Sequence, residues 1–498
     1  TVVYRLVGLL AAFALACYAL IAFAVLVVLG ATLTLPGLAG FVLAIGLAID
    51  ANVLVFERAR EEYAARAPGR GSAQDESARL QGSLRAGFSH AWSAILDSNV
   101  TTLIAAGLLF ALASGPVRGF GVTLGIGVLA SMVSALVIAR AMSEWALRSR
   151  FAASHPGLTG IARTGRVRAW LADHGPDLMR RSRTWLAISG AVVVLSLTGI
   201  LARGLDLGVE FTGGRLLEYS TSSPVDVDSA RQVLAEQGFP RAVVQTSQAD
   251  DGLERITVRT DPISNDEAQA VQDALAAEGG QVTKLRDELI GPTLGDELRT
   301  KALIALGIAF AAQLVYLAVR FRWTYGVAAV VAMLHDVVIV VGLFAWLGKP
   351  IDGVFLAAVL TVVGLSVNDT VVVFDRVREL RRADPHSPFA QVANAAVLQT
   401  IPRTVNTGLG AMAILAALVL LGGDSLADFA LALLAGLVVG TLSSVFTATP
   451  LLVELTGRRP PGGPRPQPRR RDARAGVDRW SSADPYAHVA GGQAGPSG

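Results

Sequence analysis

Long apolar stretches alternate along the chain with short polar loops and with longer charged segments. An α-helix rises ~1.5 Å per residue, so about 20 apolar residues cross the ~30 Å hydrocarbon core of a bilayer. Ten stretches approach or exceed that length, which predicts an α-helical polytopic membrane protein. The predicted spans are residues 6–29, 37–56, 94–113, 120–145, 184–203, 302–319, 324–347, 353–374, 403–422 and 427–455.

Composition and loop charge agree with this reading. Hydrophobic residues make up 52% of the chain and charged residues 17%, whereas a soluble domain carries ~25% charge; an ordinary soluble enzyme is therefore excluded. Arginines concentrate in residues 57–93, 146–183 and 375–402 and in the tail after residue 456, while the alternate short loops hold one basic residue at most. The positive-inside rule places the arginine-rich side, and hence both chain ends, in the cytoplasm.

One long segment, residues 204–300, falls on the opposite side and carries 18 acidic against 8 basic residues. Its pattern predicts strands and helices in the order βαββαβ, which is typical of a small ferredoxin-like α+β domain. Residues 457–498 are rich in Pro, Gly, Arg and Ser, which predicts a disordered tail. That tail is either solvated or rests on anionic lipid through its arginines.

Two of the predicted spans contain copies of an internal sequence repeat. The stretch from Gly46 to Glu61 aligns without gaps with the stretch from Gly364 to Glu379, at an offset of 318 residues. Both copies have the same predicted orientation, which indicates a parallel repeat and two pseudo-symmetric bundles that face each other. Asp50 aligns with Asn368, so the membrane acid of the second copy is displaced by one residue, to Asp369.

These two acids lie mid-span, where a carboxylate costs ~2.5–3.5 kcal/mol on insertion scales. Binding a proton lowers that cost, and this property makes a buried carboxyl a proton carrier. Asp50 and Asp369 occupy nearly matching repeat positions, which favours a functional role over a purely structural hydrogen bond.

Other polar residues inside the spans leave alternatives open. Arg403 starts a predicted span, and the residues alone favour an arginine at the membrane interface over a counter-charge for Asp369. His335 and Asp336 form either a second relay pair or a structural hydrogen bond between helices. Asp97 is either a helix cap or a pathway residue. Interhelical contacts are predicted for three asparagines, Asn52, Asn99 and Asn406.

Charged pairs at the inner boundary, Glu57–Arg58 and Asp375–Arg376, are predicted to pair at the interface. The chain has no Walker motif, no His-Glu-x-x-His motif and no arrangement typical of a serine hydrolase, so ATP use, a metal site and enzymatic catalysis are not expected. The ion gradient remains as an energy source, worth ~2.3 kcal/mol per charge moved across 100 mV. No cofactor is expected, and the residues alone leave open whether the coupling ion is a proton or Na⁺.

Three motifs carry a resemblance to a known family. The run from Gly46 to Arg58 resembles the fourth-span motif of SecD, while Leu207 to Gly214 and Gly364 to Arg376 resemble SecF. Over residues 1–456 the chain is similar to fused SecDF proteins, which are related to the resistance-nodulation-division (RND) transporters. The resemblance implies a proton-driven accessory of the Sec translocase in the bacterial inner membrane. Implied partners are the SecYEG translocon, preprotein driven by SecA, the membrane protein YajC and the lipid bilayer, without nucleic acid.

The resemblance also implies roles for residues. It identifies Asp50, Asp369 and Arg403 as the proton-coupling residues. Because Arg403 begins an Arg-Thr-x-Asn-Thr run, the resemblance favours this role over that of an arginine at the membrane interface. His335 and Asp336 match a His-Asp dipeptide of SecF whose role stays open. Four asparagines are expected to support the site, namely Asn52, Asn99, Asn368 and Asn406.

The same resemblance divides the chain into six parts. They are a SecD-like membrane half (1–150), a cytoplasmic linker (151–183), a first SecF-like span (184–203), the extracytoplasmic α+β domain (204–300), the SecF-like membrane helices (301–456) and the tail (457–498). The family pattern further implies a preceding span and a large outer domain that this sequence does not contain. Two other classes remain open: an RND-type exporter of small molecules or lipids, and a scaffold that tolerates Asn at both membrane acids.

Overall fold

A computed structural model describes residues 3–31, 34–66, 73–112, 115–162, 165–223, 225–240, 242–248, 254–422 and 424–457. Within these ranges ten helices are long and apolar enough to cross a membrane, which confirms a polytopic α-helical membrane protein. The tail predicted for residues 457–498 lies, apart from Gly457, outside the described residues.

The first half of the membrane part contains four long helical units. They are α1 (Arg5–Val28), α2 (Leu35–Ala65), α3 (Ala73–Leu112) and α4 (Gly115–Val133), which continues through a π-helical segment (Ser134–Ala139) into α5 (Arg140–Leu147). Short elements then lead to the second half: α6 (Arg150–Ser154), α7 (Pro156–Thr159), α8 (Arg166–His174) and a 3-10 turn (Met179–Arg181).

The second half contains six long helical units interrupted by the α+β domain. They are α9 (Ser182–Arg203), α13 (Pro292–Arg320), α14 (Trp323–Leu347), α15 (Gly353–Ala383), α16 (Phe389–Leu421) and α17 (Asp424–Ser443), which continues through a second π-helical segment (Ser444–Ala448) into α18 (Thr449–Gly457).

The repeat seen in the sequence recurs in the element boundaries. Helices α2 and α15 begin and end 318 residues apart, and α1 and α14 begin at the same offset. The last helical unit of each half contains a π-helical segment. Across the halves, α2 packs on α16 and α15 packs on α3, so equivalent helices make equivalent contacts. The two bundles therefore face each other about a pseudo-twofold axis.

Several helices extend well beyond the predicted spans. α3 begins at Ala73 rather than near residue 94, and α16 begins at Phe389 rather than near residue 403. Hydropathy detects only the apolar middle of such a helix, because its polar turns score as loop. Arg403 and Asp97 consequently lie inside helices, which excludes the helix-cap alternative for Asp97.

Helix α15 lies at the centre of the packed membrane part. In its apolar window 89% of the residues are buried, as expected for a helix rich in Val, Ala and Gly that is apolar on all sides. This helix carries Asn368 and Asp369. The most buried helix therefore holds the polar pair of the second repeat.

The domain between α9 and α13 is a four-stranded sheet with two main helices. Its elements are α10 (Val209–Thr212), β1 (Gly214–Thr221), α11 (Val227–Glu236), β2 (Val243–Gln248), β3 (Glu254–Thr260), α12 (Asn265–Gly279) and β4 (Val282–Ile290). The strand order is β2-β3-β1-β4 with antiparallel neighbours, as in a ferredoxin-like unit. Leu217, Ile256, Val258, Val271 and Leu275 belong to its separate hydrophobic core.

Candidate functional site

A buried ion pair joins the two halves at the middle of the membrane part. Nη2 of Arg403 on α16 donates to both carboxylate oxygens of Asp50 on α2, at 2.9 and 2.8 Å. The side chains are only 5% and 13% exposed. Hydrogen bonds to charged groups are stronger than neutral ones, so this contact fixes α16 of the second half against α2 of the first.

The residue equivalent to Asp50 in the second repeat completes the contact. Nδ2 of Asn368 donates to Oδ2 of Asp50 at 3.0 Å, and the two residues are separated by the repeat offset of 318. Residues that are equivalent in two facing repeats meet where the pseudo-twofold axis passes between them. Asp50 and Asn368 therefore mark the axis, and one carboxylate there receives donors from two helices of the other half.

Asp369 has a different environment from Asp50. Its one hydrogen bond in the described structure comes from Thr441 Oγ1 on α17, at 3.3 Å, although the charges of Asp50 and Arg403 both act on it. One residue corresponds to ~100° around a helix, so Asp369 is turned from the axis that Asn368 faces. The sequence left open that Arg403 serves as the counter-charge of Asp369. In the structure the ion-pair partner of Arg403 is Asp50 instead.

Unused hydrogen-bonding capacity surrounds this ion pair. Nε and Nη1 of Arg403 and Oδ1 of Asn368 are buried and have no hydrogen-bond partner among the residues that the structure describes. Beside them lies a cavity of about 10 Å³ lined by Asp50, Arg403, Ser98 and Asn99 with apolar neighbours, which is about the space that one water molecule needs. Buried donors without partners are rare in native structures, so Arg403 is poised to accept a second partner.

A second polar cluster lies between α14, α15 and α17. Asp336 is fully buried and its carboxylate receives the hydroxyls of Ser366 and Ser443, the latter at 2.7 Å. His335 Nδ1 lies 2.9 Å from Asp336 Oδ1, while its Nε2 is buried without a partner. The interhelical hydrogen bonds expected of this dipeptide are present for Asp336; the relay role stays a prediction.

The predicted asparagine contacts divide into two kinds. Asn406 Nδ2 donates to Tyr4 Oη at 3.0 Å, across to α1, as expected for an interhelical contact. Asn52 and Asn99 instead donate to carbonyls of their own helices, those of Ala48 and Ile95. Amide side chains one turn from a carbonyl can satisfy themselves locally, so these two hydrogen bonds lie within a helix, and the interhelical contacts of Asn52 and Asn99 stay a prediction.

Asp97 pairs with a residue that the sequence did not single out. Its carboxylate receives Nε of Arg320 on α13 at 2.9 Å and Tyr316 Oη at 2.7 Å. This acid is therefore neutralised by a second contact between the halves rather than serving as a helix cap.

A ring of four charges closes the end of the membrane part away from the α+β domain. Arg58 contacts Glu379 at 3.4 Å and Arg376 contacts Glu61 at 3.9 Å, while within each helix Arg58–Glu61 and Arg376–Glu379 pair at 3.0 and 2.7 Å. Arg58 and Arg376 are repeat equivalents, as are Glu61 and Glu379. Each contact of the ring in one half therefore has its equivalent in the other half. The 318-residue offset in the sequence was the signal that could have predicted this symmetry.

The adjacent pairs predicted at this end are not formed. Glu57 binds Arg60 at 2.8 Å and Asp375 binds Arg378 at 3.0 Å, because residues three apart lie on the same face of a helix whereas adjacent residues do not. Among the described residues no group of three or more His, Cys, Asp or Glu side chains is placed to hold a metal ion.

Two bundles built from a repeat, with an ion pair between a helix of one half and a helix of the other in the middle of the apolar part, define a polytopic membrane protein of the repeated, transporter-like type. The family model "Protein export membrane protein SecD/SecF, C-terminal" matches residues 1–149 and 270–458, and the SecD/SecF GG motif matches residues 198–225. The chain belongs to the SecD/SecF family of protein export membrane proteins, with SecD-like and SecF-like parts fused in one chain.

Individual relatives agree with this assignment. The protein translocase subunit SecDF of Thermus thermophilus is 38% identical over 83% of this chain and 53% of its own length. The SecF subunit of Thermobaculum terrenum is 36% identical over 56% of this chain and 93% of its own length. A crystal structure of Thermus SecDF, described as a translocon-associated membrane protein, has a TM-score of 0.81 at 36% identity and covers 91% of this chain.

The chain spans 53% to 62% of the length of the curated SecDF relatives that it matches, and 60% of the Thermus crystal structure. The similarity therefore establishes the family and the fold of the shared part.

Proposed function

We propose that the chain is a subunit accessory to the Sec translocase that uses the proton-motive force to promote translocation and release of preprotein on the outer face of the membrane. Relatives named as protein translocase subunits support this proposal. The observation that carries it is the Asp50–Arg403 ion pair beside Asp369, buried where the two repeated halves meet. Charges at such a depth are costly and mark ion pathways.

The coupling follows from the competition of two carboxylates for one guanidinium. In the proposed cycle, Arg403 binds Asp50 alone while Asp369 carries a proton. The structure supports this step with the Arg403–Asp50 contact and with a hydrogen bond from Thr441 to Asp369. Loss of that proton creates a second carboxylate within the field of Arg403, whose free Nε and Nη1 can then turn toward it. Because Asp50 and Asp369 belong to different halves, redistribution of Arg403 between them changes how the bundles pack.

The energies are of comparable size. A hydrogen bond to a charged group contributes ~1.5–3 kcal/mol, and one proton crossing 100 mV releases ~2.3 kcal/mol. One proton per cycle can therefore shift Arg403 from one carboxylate to the other. The small cavity beside the pair offers space for a water molecule that carries the proton.

In the cell, the proposal places the chain in the bacterial inner membrane with both ends cytoplasmic, because the arginine-rich loops lie on one side. The α+β domain then faces outward, and the ring of Arg58, Glu61, Arg376 and Glu379 closes the cytoplasmic end between the halves. The partners are the SecYEG translocon, preprotein driven by SecA, and YajC. Protons are the coupling ion, no cofactor is used, and the chain is a transport protein rather than an enzyme.

Export in cells that depend on this chain tests the proposal. Asp50→Asn and Asp369→Asn should each remove stimulation of preprotein export by the proton-motive force while the protein stays inserted. Thr361→Val is the matched control, since Thr361 is buried on α15 and donates only to the Ala357 carbonyl of its own helix. Efficient, proton-motive-force-dependent export in both Asp variants would overturn the coupling role. Unchanged export together with a lipid or small-molecule phenotype would favour an RND-type exporter.

A further inference from the structure

The chain segment that enters the α+β domain is tied to the start of α15 by backbone hydrogen bonds. Leu207 and Ile351 form a parallel β-bridge. Gly208 N donates to the Ile351 carbonyl at 2.9 Å, and Ile351 N donates to the Asp206 carbonyl at 2.7 Å. A Cβ on Gly208 would lie 2.9 Å from the Cβ of Asp352, so this close approach needs glycine. We call residues 206–210 with 351–353 the splice.

Glu210 adds a side-chain bond to the splice. Its Oε2 accepts the backbone N–H of Gly353, the first residue of α15, while Asp352 Oδ1 accepts that of Phe355 at 2.8 Å. The first N–H groups of a helix have no partner within the helix, so these two carboxyls satisfy donors that would otherwise be free. Glu210 belongs to the domain and Gly353 to the helix that carries Asp369.

The splice is also fixed on its domain side. Asp206 receives Nη1 of Arg259 on β3 at 3.0 Å from each carboxylate oxygen. At the end of α10, a Cβ on Gly295 of α13 would lie 2.7 Å from the Gly213 amide nitrogen. The domain is therefore held to α13, α15 and its own sheet at one short stretch of chain, and a movement of the domain must act on the start of α15.

Charged groups from each neighbouring element face Glu210. Asp352 precedes α15, Arg286 and Glu288 lie on β4, and Lys301 on α13 lines the same cavity of about 330 Å³ as Glu210. Arg286 is paired with Glu288 at 2.8 Å, and the charges of these two residues act on Glu210 in opposite directions. Burial and the neighbouring charge of Asp352 raise the pKa of Glu210 to about 7, and they outweigh the hydrogen bond from the Gly353 N–H, which lowers it.

Asp352 is itself part of this charged environment. Burial raises the pKa of the Asp352 carboxyl, against the charges of Arg286 and Arg259 that lower it, and Asp428 adds a further negative charge nearby. Two buried carboxyls at one place titrate as a coupled pair. The cavity beside them is large enough for several water molecules, which gives protons access to Glu210.

We infer that Glu210 is the positioning residue through which the α+β domain and the helix of Asp369 move together, and that the splice is closed when Glu210 is protonated and loosens when it is ionised. The inference rests on the proposed function, and it adds a second proton-responsive residue, at the outer end of the helix that carries Asp369. Protons at the outer face then clamp the domain to α15 before a proton reaches the middle of the membrane.

The direction follows from linkage. A carboxyl whose pKa is higher in the closed state than in the open state stabilises the closed state below its open-state pKa, and this stabilisation is lost as the pH rises through the closed-state pKa. For a glutamate that titrates at 4.5 when exposed and at about 7 in the splice, the opening equilibrium rises by about tenfold between pH 6 and pH 8.

Amide hydrogen exchange of residues 351–358 in the full chain measures this opening without requiring transport. We expect the ratio of the exchange rate in the wild type to that in Glu210→Gln, which mimics the protonated state, to rise about tenfold between pH 6 and pH 8. Asp352→Asn keeps a capping side chain but removes the neighbouring charge, so the rise should move to lower pH. Glu236→Gln, a change of the same kind at an exposed position on α11, is the matched control and should leave the pH dependence as in the wild type.

Two results would overturn the inference. A ratio that stays constant with pH would make Glu210 a structural residue only. The exchange ratio could depend on pH while the dependence of proton flux on the outer pH is the same in Glu210→Gln as in the wild type. That result would show that opening of the splice is not linked to transport. If instead the wild-type chain conducts no protons, the proposed function fails while the exchange result stands by itself.

Discussion

The two membrane aspartates occupy neighbouring positions of the repeat but should differ sharply in what their carboxylates contribute to stability. Asp50 holds Arg403 through two contacts of 2.8 and 2.9 Å, and the arginine is only 5% exposed. Removing one member of a buried ion pair costs ~3–5 kcal/mol, because the other charge is left buried without a partner. Asp50→Asn should therefore lower the free energy of unfolding by ~3–5 kcal/mol.

Asp369→Asn is the matched variant, with the same change of side chain on the equivalent helix. Asp369 is held in the described structure by a single hydrogen bond of 3.3 Å from Thr441, which an amide oxygen can still accept. Its loss should cost no more than ~1 kcal/mol. The double variant Asp50→Asn with Arg403→Gln should recover most of the loss, because both charges are then absent.

Reversible unfolding in mixed detergent micelles gives these free energies, and the double-mutant cycle isolates the interaction between Asp50 and Arg403. The interaction energy should exceed ~2 kcal/mol, consistent with charge-assisted hydrogen bonds in a buried site. Equal costs for the two Asn variants, or additive effects of the Asp50 and Arg403 changes, would refute the reasoning.

Three further predictions concern the charges outside this pair. Arg58→Gln should destabilise the end of the bundle away from the α+β domain, and its combination with Glu379→Gln should reveal a coupling of ~0.5–1 kcal/mol, since the pair is partly exposed; additive effects in the unfolding cycle would contradict this. Arg215 holds the pKa of Asp287 at about 2, so the pair stabilises the α+β domain above pH ~4 and this stabilisation is lost as the pH falls through 2. Amide exchange of β1 and β4 should accordingly be faster in Asp287→Asn than in the wild type at pH 7 but equal near pH 2, and a difference that persists at pH 2 would count against it. Asp336→Leu removes the acceptor of two buried serine hydroxyls and should cost ~1–3 kcal/mol in unfolding free energy; an unchanged value would show that those hydroxyls need no acceptor.

The membrane character of the chain could be predicted from sequence because spanning helices must bury continuous apolar surface. The helix ends could not, as α3 and α16 show, since the turns outside the apolar core are stabilised by ion pairs on α3 and by hydrogen bonds of Asn394 and Gln399 on α16. The strand and helix order of the α+β domain was predictable for the opposite reason: its elements are short, amphipathic and bounded by clear turn residues.

The membrane acids were identified from their depth and from the repeat, but the partner of Arg403 was not. A displacement of one residue between Asn368 and Asp369 changes the facing direction by ~100°, and only the packed helices show that Arg403 reaches Asp50. Glu210 lies within the Leu207–Gly214 stretch that resembles SecF, and nothing in the local sequence distinguishes it as a contact residue. Its contact with Gly353 is between residues 143 apart, which no local pattern reveals.

Proton flux through the reconstituted chain tests the central claim most directly. The chain is placed in vesicles with an imposed pH gradient and a potassium potential, and internal pH is followed with a trapped dye. We predict flux for the wild type and for Thr361→Val, and flux at the level of empty vesicles for Asp50→Asn and Asp369→Asn. Wild-type flux in either Asp variant would contradict the account.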